Sequence, residues 1–188
     1  MHRMNEQDRR NRRAGFFKNF IGLLQEESDR GCVIVSAAML DDILSQLLKR
    51  RLAPSLEKKD ELLDNGASAF STFSARIDLA YRVGLLRASA RATFHLLRKI
   101  RNDFAHISDP KTFDSSSVKS RVIEIFNLNK EIMDSFSDSM RDNDLHQFEN
   151  SSFIEVVSTR KAYEFFIASA AAYLLEAVND VEHIQPLE

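Results

Sequence analysis

Residues 98–107 read RKIRNDFAHI and hold Arg101, Asn102, Asp103 and His106 within six positions. A guanidinium, an amide, a carboxylate and an imidazole are the group types from which anion binding and proton transfer are built. The stretch also reads as the end of an amphipathic helix, just before the chain turns at Asp109-Pro110. On a wheel at about 100° per residue, Leu96, Leu97, Ile100, Phe104 and Ile107 gather on one side, the core face. His95, Asn102 and His106 form a narrow stripe nearly opposite, flanked by Arg98 and Lys99. Arg101 falls about 140° round from His106, nearer Phe94 and Ala105. On periodicity alone the stripe is a solvated face, with a histidine in the last turn offsetting the helix dipole. His95 and His106 lie eleven residues apart with no third ligand at helical spacing, so the pattern predicts no metal site.

The elements that must position these residues all read as helices. RRAGFFKNFIGLLQEESD puts Phe16, Phe20, Leu23 and Leu24 at helical spacing, and Gly31 breaks the pattern. CVIVSAAMLDDILSQLLKRRL follows, with Val33, Ala37, Leu40, Ile43, Leu44, Leu47 and Leu48 on one broad apolar face. Lys49, Arg50 and Arg51 suit its C-terminal dipole. Residues 53–73 form a connection with room for a short helix from Glu57 to Leu63. In SARIDLAYRVGLL, Ser74 is the expected N-cap, Gly84 the expected stop, and Asp78 and Arg82 an i, i+4 pair. Ser89 is the expected cap of the next helix. Further helices are expected over 116–128, 129–141 and 152–180, with a polar turn at RDNDLHQFENSS between the last two. No segment alternates like a strand. The fold class is therefore all-α, an antiparallel bundle of about six to seven helices in one domain over 1–188.

The chain has 188 residues, and with 44% hydrophobic and 29% charged residues it can bury a core. Fourteen phenylalanines and no tryptophan make that core Phe-rich. A net charge of −2 argues against a bulk electrostatic grip on nucleic acid but leaves room for a local basic patch. The single Cys32 excludes an internal disulfide and a cysteine-cluster metal site. It reads as a small buried residue and fits a reducing, cytoplasmic compartment. The N-terminus, 1–14, is polar and basic with no apolar run behind it, so no signal peptide is expected. Its Arg9, Arg10, Arg12 and Arg13 could track phosphates. The preferred reading is a solvated helix start, offset by Glu6 and Asp8. FFIASAAAYLL, residues 165–175, is too short to span a bilayer and reads as a buried helix. Its run Ala168, Ser169, Ala170, Ala171, Ala172 permits close helix approach, in the core first and at a dimer seam second. No membrane association is expected.

RNDFAH resembles the Arg-x4-His motif of the HEPN superfamily: Arg101, Asn102, Ala105 and His106 all match. FSARIDLAYRVGLL, residues 73–86, and the helix that follows resemble the mannitol operon repressor (MltR) family. SDRGCVIVSAAMLDDILSQLL is similar in character, so this likeness spans about 28–110. It implies a HEPN-like helical fold without a DNA-reading helix-turn-helix, and hence no direct sequence-specific DNA binding. The HEPN resemblance implies a homodimer whose two Arg/His pairs line one cleft and cut RNA without metal or other cofactor. His106 would then be the general acid or base on the ribose 2′-OH or the leaving 5′-oxygen. Arg101 would hold the scissile phosphate, and Asn102 would orient the His or the phosphate. His95, Arg98 and Lys99 would be RNA-binding groups, and Asp41 or Asp42 a supporting acid that buffers the cationic cleft. Two functions follow: a HEPN-type endoribonuclease, or a non-catalytic regulator of transcription working through protein partners.

Overall fold

A computed structural model describes residues 5–64, 66, 68–106, 110–130 and 157–186. Six helices make up the described chain: α1 (Glu6–Gln25), α2 (Asp29–Arg51), α3 (Phe73–Arg82), α4 (Ala88–Ala105), α5 (Ser116–Leu128) and α6 (Thr159–Ala177). Among the described residues there is no strand, so the fold is the all-α bundle that the patterning predicts.

α2 is the central helix and packs against α1, α3, α4 and α6. Cys32, Val33, Ser36, Ala37, Leu40, Ile43, Leu44, Leu47 and Leu48 are buried, which is why it touches so many neighbours. By length and composition α2 could also cross a membrane, and half of that apolar stretch is buried inside the bundle. The pairings α2/α4, α4/α5, α3/α4 and α1/α6 are antiparallel. Arg30 meets Ala105 while Arg51 meets Val83. Arg121 meets Asp103 while Asn129 meets Thr93. Phe73 meets Phe94 while Asp78 meets Arg91. Arg9 meets Asp180 while Phe17 meets Phe165. The core is rich in phenylalanine, with Phe104–Phe113 at 5.5 Å and Phe126–Phe166 at 5.9 Å between ring centroids. In 165–175, Phe165 to Ala168, Ala171 and Ala172 are buried within the chain itself.

Several boundaries differ from the sequence expectation, each for a local reason. Gly31 lies inside α2; the chain breaks earlier, and Ser28 caps α2 by accepting from the Gly31 N–H at 3.0 Å. The cap of α3 is Thr72, not Ser74: Thr72 is extended and its hydroxyl accepts from Ala75 N–H at 3.2 Å. Ser89 is already helical, and the extended residue before α4 is Arg87, whose side chain makes no cap bond. Residues 57–63 are not a helix. The Asp60 carboxylate takes the N–H groups of Leu62 and Leu63 into a turn, while Leu63 is fully buried. Asp78 does not turn to Arg82, because the packing of α4 offers it Arg91 and His95 instead. The last helix begins at Thr159 under a Ser158 cap, later than 152. Expectations for 131–156, and for Ile107 to Asp109, lie outside the described residues. Gly84 does end α3, at φ +78. Its N–H donates to Tyr81 O and that of Leu85 to Ala80 O, the paired bonds of a Schellman motif.

Candidate functional site

The motif stands at the C-terminal end of α4. Ile100 and Phe104 are buried and fix that end against the core, while Arg101, Ala105 and His106 are exposed. The Phe113 ring packs on both Phe104 and Tyr163, and the Phe113 N–H donates to Asp29. The chain beyond the motif is thereby tied back to the start of α2.

His106 is the C-cap of α4, with extended backbone at φ −71 and ψ 124. Its φ is still helical and its ψ redirects only the chain that follows, so the wheel still gives the direction of its Cβ, on the stripe with His95 and Asn102 and well round from Arg101. Arg101 Nη1 donates to Asn102 Oδ1 at 3.2 Å. Asp103 pairs with Arg121 of α5, which removes that acid from the exposed group.

Other candidates from the sequence lie elsewhere. His95 Nε2 sits 3.1 Å from Asp78 Oδ1, and Arg91 reaches the same oxygen at 2.6 Å. Eleven residues of helix, about 16 Å, separate His95 from His106. His95 therefore belongs to an α3–α4 clasp and not to the motif. Arg91 also stacks over the Tyr81 ring, 5.7 Å from its centroid. Burial opposes ionisation of Asp78, but the bonds and charges of His95 and Arg91 outweigh it and hold the carboxyl below its ordinary value. Arg98 is half-buried and its Nε has no hydrogen-bond partner among the described residues; Lys99 is exposed. Asp41 accepts from Arg76 Nη1 at 2.8 Å, and Asp42 from Gln46 at 2.8 Å. Eleven residues of α2 separate Asp41 from Arg30, the residue that reaches the motif. Neither acid can buffer Arg101 and His106 within one chain.

The basic N-terminal segment is helical from Glu6. Arg9 pairs with Glu176 and Asp180 of α6, and Arg10 and Arg13 lean on Glu6. Arg9 thus serves α1–α6 packing, and Glu6 offsets its neighbours as the charge pattern suggests. Cys32 is fully buried; burial, and secondarily the Glu164 charge, push its thiol up to about 12.

One residue beside the motif has no precedent in the sequence reading. Arg30, in the first turn of α2, donates from Nη2 to Ala105 O at 3.3 Å. A cation there faces the positive end of its own helix, which is unfavourable. The negative end of α4 offsets this, and only the tertiary packing reveals it. No group of three His, Cys, Asp or Glu suited to a metal ion occurs among the described residues. No protein-family model, curated protein or solved structure matches this chain.

Proposed function

We propose that this protein is a HEPN-like regulatory protein that acts on RNA through Arg101, Asn102 and His106, with two copies of the chain forming the site. The observation that carries this reading is the exposure of Arg101 and His106 at the rigid end of α4, beside the cationic Arg30. His106 is the proton-transfer group at the 2′-OH or the leaving oxygen, since an imidazole offers both a proton acceptor and a proton donor. Arg101 holds the phosphate through its fork of donors, with Asn102 fixing the orientation of that fork. The need for a 2′-OH restricts the substrate to RNA. Incubating wild type and His106→Ala with a mixed RNA pool in the presence of chelator tests it. Cleavage by wild type alone is expected; cleavage by both would remove His106 from the chemistry.

The second reading is a non-catalytic regulator of the mannitol operon repressor type that works through a protein partner. It is favoured by the likeness over residues 28–110 and by the net charge of −2, which gives no overall attraction to RNA. Under this reading neither variant cuts or binds RNA.

A further inference from the structure

We infer that Arg30 is a third phosphate-binding group of the motif's surface, supplied by α2 to a site otherwise built by α4. This rests on the RNA-acting reading above and names a residue that the motif does not contain.

Arg30 is 71 positions before Arg101. Antiparallel packing of α2 on α4 brings its guanidinium to the carbonyl of the residue directly before His106. That bond uses one of five guanidinium N–H donors, and no other partner of Arg30 occurs among the described residues. The side chain is exposed, so its remaining donors face solvent. The nearby acids are already committed. Asp29 binds Arg160 and the Phe113 N–H, and Asp103 binds Arg121. Glu27 lies against Gly31 and makes no ion pair with Arg30 among the described residues. Among the described residues no acid neutralises Arg30, whose guanidinium lies at the carbonyl directly before His106. A helix-end cap accounts for one donor. A backbone phosphate accounts for the open fork.

The two roles separate experimentally. Binding of a mixed-sequence single-stranded RNA oligonucleotide, followed by fluorescence anisotropy across a salt series, compares wild type, Arg30→Gln and Arg30→Lys. Thermal unfolding is recorded for each. Loss of one phosphate contact lowers the slope of log K against log salt by about 0.7. Arg30→Gln is expected to show that drop, with weaker binding and slower cleavage. Arg30→Lys is expected to recover the slope, since it keeps the charge. If Arg30 only caps α4, Arg30→Gln changes the unfolding temperature and leaves affinity and slope at wild-type values, which overturns the inference while the RNA-acting reading stands. If wild type itself neither binds nor cuts the oligonucleotide, the RNA-acting reading fails and takes this inference with it.

Discussion

Arg160 Nε donates to Glu164 Oε1 at 2.6 Å, and Glu164 is almost fully buried. The same guanidinium reaches Asp29 at 2.8 Å and the carbonyl oxygens of Leu24 and Glu27. One side chain therefore ties the start of α6 to the α1–α2 junction, with Asp29 directly before Arg30. It also sets a cation beside the buried Glu164.

Removing Arg160 should consequently destabilise the protein strongly. Arg160→Met strands the Glu164 carboxyl group and three other acceptors, a loss of about 3 kcal/mol. Adding Glu164→Leu removes the stranded charge and should restore a good part of that loss. Urea unfolding of the two variants measures both, and equal stability of single and double variant would refute the account.

Gly84 gives a purely conformational prediction. Its φ is +78 and nothing lies within 4 Å of where a Cβ would be. Gly84→Ala should cost about 1 kcal/mol from backbone strain alone, without a steric clash. Gly84→Asn should cost less, because Asn enters the left-handed region more readily. A chemical denaturation series that ranks the two alike would contradict this.

This turn shows what the sequence made legible. The Gly at the end of SARIDLAYRVGL predicts a stop because only local backbone geometry is involved. The apolar faces of α2 and α4 are likewise readable, since helical spacing alone defines them. Ser74 and Ser89 misled because each helix starts earlier, after Thr72 and Arg87, whereas the Asp78–Arg82 pair was overridden by neighbours in space, Arg91 and His95. The site divides the same way. Arg101 and Asn102 sit where the spacing puts them. So does the Cβ of His106, because this C-cap residue keeps a helical φ. Asp41 and His95 were drawn to Arg76 and Asp78 by α3, and Arg30 reached the motif only because α2 and α4 run antiparallel.

The α3–α4 clasp sets a pH dependence. With its carboxyl held below the ordinary value of 3.8, Asp78 contributes stability at pH values above 3.8. That contribution falls away as pH drops through the lower, folded-state value. Asp78→Asn should therefore be less stable than wild type at pH 6, with the gap closing as the pH falls below 3.8. The side chain is half exposed, so solvent screening keeps the gap small. Thermal unfolding across pH 2–7 reads it, and a gap that widened in acid would reverse the sign argued here.

The last prediction concerns whether the motif works within one chain or between two. The wheel puts Arg101 about 140° from His106, so the two meet either by the long Arg101 side chain leaning round its own helix or by reaching a partner chain's copy. Each of Arg101→Ala and His106→Ala, as a homogeneous protein, should lose RNA cleavage by about 100-fold or more. In a mixture allowed to exchange subunits, a mixed dimer holds one intact Arg101 and one intact His106, on different chains. If the site is shared across the interface, the mixture regains measurable cleavage that neither variant has alone. If both groups must come from one chain, mixing restores nothing. Native mass spectrometry of the same samples, with one variant isotope-labelled, establishes that mixed dimers form, so that a silent mixture speaks for a site within the single chain.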